Sequence, residues 1–288
     1  MNRPQVRLIP HHSRPMAHTG FRYLGRLVAD SARALTTTVL LAVIGLVPNV
    51  ALARHGSQIG AVVPASVIRQ LRQISHNGLQ DTAPPNDVLM NAIAGALVHV
   101  HRPSILYVGA DYCPYCAALR WPLVLTLLRF GSLEGLKFMR SSSTDVFADT
   151  ATFSFFGAAY RSPWIGFEGF ETSTRTGRPL ARPPHPVRSL FNAYDAPPFT
   201  MDAGAIPFLY INGLYVISGS PVPPEIFKGD DWSAIIAGLT QPTSAIYEKV
   251  MPETNLLTAA FCKGMAAPPR QICESPGVIV SRHFLPKS

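Results

Sequence analysis

SILYVGADYCPYCAALRWPLVLTLLRF, residues 104–130, is the stretch on which the reading of this chain turns. Residues 104–109 form a short apolar run closed by Gly109, the pattern of a buried strand. Cys113 comes four residues after that glycine, and Cys116 completes a C-x-x-C. Residues 117–130 are helical in composition, and Gly131 and Gly135 bracket their end. LKFMR, residues 136–140, is a second strand candidate. Strand, C-x-x-C, helix, strand predicts a βαβ unit with parallel pairing and a right-handed crossover, and hence an α/β fold.

A cysteine pair at a helix start has a definite chemistry. Unpaired backbone N–H groups and the helix dipole converge on Cys113, stabilise a thiolate and lower its pKa. Cys116, one turn further in, is within reach to close a disulfide, so the pair can cycle through a mixed disulfide. Pro114 suits the first helical turn, where its missing N–H costs little. On this reading Cys113 is the nucleophile and Cys116 the resolving thiol. Two other readings stay open. C-x-x-C is half of a zinc site, although no second C-x-x-C or H-x3-H lies at a suitable distance and His99 and His101 are separated from it by a strand. It also serves as an inert structural disulfide. Among the neighbours, Asp111 reads as a loop cap or a modulator of the thiol, Arg120 as solvent-facing or supporting the thiolate, and Trp121 as core.

Outward towards the N-terminus, residues 64–75 place Val67, Ile68, Leu71 and Ile74 on one helical face. Residues 86–99 show a second helical pattern, with Asn86 or Asp87 as N-cap. Residues 54–63 read as a tether. Before them, residues 34–53 (ALTTTVLLAVIGLVPNVALA) carry no charge and as a helix span about 30 Å, a hydrocarbon core. Six arginines against Asp30 make the leader, residues 1–33, basic, which places the N-terminus in the cytoplasm and the remainder outside. Ala51-Leu52-Ala53 has the form of a signal-peptidase site and Pro48 breaks the helix, so a single-pass anchor and a signal cleaved after Ala53 (leaving a secreted domain) both fit. A buried core helix is the third reading.

Outward in the other direction, residues 141–200 are rich in aromatics and then in proline, and read as an insertion with some strand covering one end of the sheet. The stretch 206–218, IPFLYINGLYVIS, is a hairpin about Asn212-Gly213, opened by Pro207. Residues 223–239 and 243–264 read as closing helices, with Asp231 and Trp232 at a helix start. Cys262 and Cys273 lie close together; outside the cytoplasm they pair as a structural disulfide, and the alternative is a buried free pair.

Composition narrows the function classes. Hydrophobic residues make up 47 % and charged residues 15 %, ample for a packed core. Of the formal charge of +8, about +5 sits in the leader, and no basic stripe interleaved with aromatics appears in the body, so nucleic acid is not an expected partner. No G-x-G-x-x-G is present, so no flavin or nicotinamide cofactor is expected and electrons need a membrane redox partner.

The blocks ILYVGADYCPYCAALRWPLVLTLLRFG (105–131), Ser141-Ser142, TFSFFGAAYRSPWIGF (152–167), IPFLYINGLY (206–215) and NLLTAAFCKG with Cys273 resemble the exported thioredoxin-like family catalogued as domain of unknown function 929. The resemblance covers roughly residues 60–280. It implies a thioredoxin-like fold over 64–288, with a large insertion before a strand that opens on a cis-proline, Pro207, packed against the reactive cysteines; an ordinary trans proline is the alternative. The implied activity is extracytoplasmic thiol–disulfide exchange on cysteine-containing exported proteins. Cys113, Cys116 and Pro207 would carry the chemistry, and Tyr112, Pro114, Tyr115 and Ile206 would touch the substrate. No metal is expected in that activity. A metallochaperone holding Cu(I) or Zn through the reduced pair, and a non-catalytic interaction module, are the competing functions.

Overall fold

In the computed structural model, which describes residues 58–94, 104–200 and 203–287, helices and strands mix along the chain. The first part runs α1 (Ala65–Asn77), β1 (Met90–Ala92), β2 (Ser104–Gly109), α2 (Pro114–Phe130), β3 (Ser132–Glu134), β4 (Lys137–Arg140), β5 (Ala151–Ser154), β6 (Ala159–Arg161) and β7 (Gly166–Glu171). It continues through α3 (His185–Tyr194), β8 (Phe208–Ile211), β9 (Tyr215–Ser218), α4 (Trp232–Gly238), α5 (Ala245–Lys263), α6 (Arg270–Cys273) and α7 (Pro276–Arg282). Among the described residues no helix is long and apolar enough to cross a membrane; the expected leader and the segment 34–53 lie outside them.

A mixed sheet in the order β1-β9-β8-β2-β7 forms the centre. Successive side chains on a strand point to opposite faces, so an unbroken apolar strand must be covered twice. That happens here. Ile105, Tyr107, Leu209, Ile211 and Ile217 pack in the larger core with α2, whereas Leu106, Val108, Phe208, Tyr210 and Val216 pack with Val187 of α3. Every residue of α2 except Tyr115 is buried, as a helix apolar on all sides requires. α1 and α5 cover it away from the sheet. Arg72 of α1 donates to Leu128 O (2.9 Å) and Gly131 O (2.8 Å), carbonyls left open where α2 ends. Pro122 interrupts the hydrogen-bond ladder of α2, and nearby Thr126 Oγ1 donates to Pro122 O (2.8 Å) and across to Thr254 O of α5 (3.2 Å). Asn212 and Gly213 both take positive φ (51° and 69°), which matches the twist of the β8–β9 hairpin they connect.

Four readings are corrected. The strand after α2, residues 137–140, does not enter the central sheet. β4 pairs antiparallel with β5, and the parallel partner of β2 is β7. The region read as an insertion therefore supplies a strand of the central sheet. GFEGFE (166–171) carries two glycines and two acids, so its pairing is set by its neighbour β2 rather than by its own pattern. Within 86–94 there is no helix: Met90–Ala92 is an edge strand that places Met90 against Ile217 and Asn91 against Val216. The burial gained on the sheet overrides a weak helical preference; residues 95–99 of that expected helix lie outside the described residues. Residues 58–63 are not a free tether, because Gly60 N donates to Phe138 O (2.8 Å), Phe138 N to Ala61 O (2.9 Å) and Val63 N to Leu136 O (2.8 Å).

Candidate active site

The C-terminal end of β2 delivers the chain to the start of α2. A Cβ at Gly109 would meet the phenol of buried Tyr107, so any larger residue there requires that ring to shift. Asp111 N donates to Ser173 O (2.9 Å) and Thr172 N to Gly109 O (2.7 Å), so the loop before the cysteines is fastened to the end of β7. Ser142 N donates to Tyr112 O (2.8 Å) and fastens it from the other side.

Cys113 is itself the N-cap of α2. Its backbone is extended (φ −76°, ψ 123°) and its sulfur accepts the Cys116 N–H at 3.1 Å. The helix cap is thus a sulfur. Pro114 opens the helix and is buried. Cys113 keeps 5 % of its surface open and Cys116 none. Both are free thiols. A hydrogen bond from the Cys116 thiol, the backbone N–H groups of Cys116 and Tyr115, and the charge of Arg120 lower the Cys113 pKa against the opposing effect of burial. Burial first, and the neighbouring Cys113 second, push Cys116 well above the ordinary thiol range. The two sulfurs are therefore unequal: the outer thiol is shifted towards easier ionisation and the inner one away from it.

The Ile206–Pro207 peptide bond is cis, and the Ile206 carbonyl lies 3.7 Å from Cys113 Sγ. Pro207 O already accepts Gly219 N–H (2.8 Å), so at this turn the carbonyl facing the sulfur is that of Ile206. Tyr115 is 44 % exposed and meets Phe147 edge to face at 6.0 Å. Cys113, Cys116, Ile206, Pro207, Tyr112, Pro114 and Tyr115 therefore gather around one helix start. Cys262 and Cys273 lie elsewhere, bonded to each other where α5 runs into α6, with Cα atoms 5.8 Å apart.

Sequence reasoning missed a buried charged cluster beneath the cysteines. Arg120 is completely buried. Its Nε donates to Glu171 Oε1 (3.0 Å), and its Nη2 to Glu171 Oε2 (2.5 Å) and Ala110 O (2.8 Å). Asp111 Oδ1 stands 4.0 Å from Nη2. Burial works against the charge of Arg120, and Glu171 together with Tyr107, Cys116 and Asp111 more than offsets it. Burial raises Asp111, and Arg120 only partly opposes that. Glu171 ends β7 opposite Gly109, so the parallel register of β2 and β7 builds the ion pair. The signal available in the sequence was Arg120 itself, a charge in an apolar helix at four residues, one turn, from Cys116. Trp121 is core, as expected, with Nε1 donating to Ala151 O (3.0 Å). Asp231 caps α4 through Oδ1 to Ala234 N (2.8 Å).

Among the described residues no three His, Cys, Asp or Glu side chains converge as metal ligands. The family model described as Domain of unknown function (DUF929) matches residues 94–263, more than half of the chain. No curated protein and no solved structure matches the chain significantly.

Proposed function

The chain belongs to the family of domain of unknown function 929, and we propose that this member is a thioredoxin-like thiol–disulfide oxidoreductase of an extracytoplasmic compartment, acting on cysteine-containing exported proteins. One observation carries the reading: Cys113 Sγ caps α2, accepts the Cys116 N–H and faces the carbonyl before a cis-proline, while Cys116 waits one turn inside. Cys113 is the only member of the pair with surface open to solvent, so it exchanges with the partner. In the reductive direction its thiolate attacks a substrate disulfide and expels one substrate thiolate. Cys116 then loses its proton and attacks Cys113 Sγ, which releases the second substrate thiolate and closes the Cys113–Cys116 disulfide. Two electrons pass from the pair to the substrate; the reverse sequence oxidises a substrate dithiol. The backbone at Ile206 offers the substrate chain an edge beside the sulfur, with Tyr112, Pro114 and Tyr115 around it. The closed Cys262–Cys273 bridge supports an oxidising compartment, reached through residues 34–53 as anchor or cleaved signal. A membrane redox partner resets the pair.

The test is to express the full chain with Cys116→Ala, which stalls the mixed disulfide, and to recover disulfide-linked proteins through Cys113. Exported cysteine-containing partners that disappear in Cys113→Ser are the expected result. Absence of any linked partner, together with failure of the purified protein to exchange with a model disulfide, would remove the enzyme reading.

A further inference from the structure

The position of Arg120 carries an inference about the direction of exchange, and it rests on the oxidoreductase reading above. Arg120 follows Cys116 by four residues on α2, so both lie on one side of the helix. Its Nη2 shares the Ala110 carbonyl with the Cys113 N–H, which donates to the same oxygen at 3.3 Å. Nη1 is buried and has no hydrogen-bond partner among the described residues. The negative charge that balances the guanidinium is bonded to Nε and Nη2, and that carboxylate is further held by the Phe155 N–H (3.2 Å). The remaining acid facing the cluster, Asp111, is buried beside the same guanidinium. A buried ion pair is a poor way to gain stability, since well-packed apolar residues of the same volume do as well or better. This one holds a cation one helical turn beyond Cys116 and on the carbonyl that also accepts the Cys113 N–H.

We propose that Arg120 is a positioning residue whose charge favours the reduced pair, so that the oxidised protein acts as an acceptor of electrons from reduced cysteine pairs in polypeptides. The physical reason is that a disulfide carries no charge and a thiolate carries one, so a fixed cation lowers the energy of the thiolate form alone. In the step, a substrate thiolate attacks Cys113 Sγ and the Cys113–Cys116 bond breaks. The Cys116 sulfur leaves and takes up a proton. A second substrate thiolate then attacks the substrate sulfur of the mixed disulfide and expels Cys113 as a thiolate. The substrate loses two electrons and two protons, and the protein's own disulfide is the oxidant for that single turnover.

The experiment uses the full chain. The Cys113–Cys116 dithiol–disulfide equilibrium is measured in glutathione buffers, and the Cys113 thiolate is followed by its ultraviolet absorbance against pH, in the wild type, Glu171→Gln, Arg120→Lys and the charge-neutral pair Arg120→Met with Glu171→Gln. The neutral pair is expected to shift the equilibrium about tenfold towards the disulfide, equivalent to about 30 mV more reducing, and to raise the Cys113 pKa. Glu171→Gln alone is expected to shift both in the opposite sense, because it unmasks the cation. Arg120→Lys stays within about threefold of wild type. A purely structural pair would move stability without this reversal of sign. The wild-type disulfide is also expected to oxidise a reduced two-cysteine peptide faster than the reduced protein cleaves insulin disulfides. Shifts of the same sign in Glu171→Gln and the neutral pair, or a wild type that is the better reductant, would overturn the inference and leave the oxidoreductase intact; a protein that does neither reaction would overturn the oxidoreductase reading itself.

Discussion

Helix α2 buries two arginines, one near its middle and one in its last turn, and treats them differently. Two turns into the helix, Arg120 is paired with a carboxylate and keeps a buried donor without a hydrogen-bond partner among the described residues. At the C-terminal end Arg129 is as deeply buried, but its hydrogen-bond partners are neutral: Ser75 O and Oγ of α1, and Asn255 Oδ1 and Thr258 Oγ1 of α5. Burial there lowers the Arg129 pKa to about 9. The helix dipole favours a cation at this end, and neutral acceptors are enough to hold it. Arg129 ties three helices together, whereas Arg120 joins a counter-charged cluster that reaches the loop before the two free thiols. A buried charge by itself therefore says little about function; its partners and the groups it faces decide.

The comparison breaks most sharply at the thiols. Cys113→Ser is expected to abolish disulfide exchange while the thermal midpoint stays within a few degrees of wild type, read by insulin reduction or peptide oxidation alongside calorimetry. Arg129→Met should do the reverse. It strands buried carbonyl and hydroxyl groups, so denaturant unfolding is expected to show a loss of about 3–5 kcal/mol with an unchanged Cys113–Cys116 redox equilibrium. The second cysteine pair sharpens the same division. Cys262 and Cys273 close a loop with a sequence separation of 11, and their joint replacement by serine should cost about 2–4 kcal/mol of stability without slowing exchange.

A smaller, pH-dependent effect is expected in α5. Burial first, and the nearby Asp87 second, raise Glu253 to about 8, and its Oε1 is buried without a hydrogen-bond partner among the described residues. The folded protein therefore holds this proton to higher pH than the unfolded chain, whose carboxyl titrates near its ordinary value of 4.5. Stability should fall as pH rises from about 4.5 to about 8, by at most about 1.4 kcal/mol per pH unit from this group. Glu253→Gln should flatten that slope in unfolding curves measured across the window. An unchanged slope would show that the carboxyl is not the source.

Much of the centre was legible because its signals are local. Residues 104–109 are an uninterrupted apolar run, the C-x-x-C sits between strand and helix, Asn212-Gly213 marks its own turn, and Cys262 and Cys273 are close enough in the chain to find each other. What was missed depends on partners far away in the chain. β7 has no alternation of its own and gains its place from β2, 62 residues earlier by the pairing of Ser104 with Gly166. Asp111 reads as a loop cap or a modulator of the thiol and Arg120 as solvent-facing or supporting the thiolate, and neither shows its partner until that strand brings Glu171 to the end of β2.

The order of strand, cysteines and helix, the place of Cys113 at the start of that helix and the mixture of apolar and turn residues follow from the amino-acid sequence, since each is a matter of neighbours along the chain. The strand that lies beside β2, the carbonyl that faces Cys113 and the acid that balances Arg120 were decided only in three dimensions. Pairing between distant strands is chosen by the burial and hydrogen bonding of the whole sheet, and no single segment carries that information.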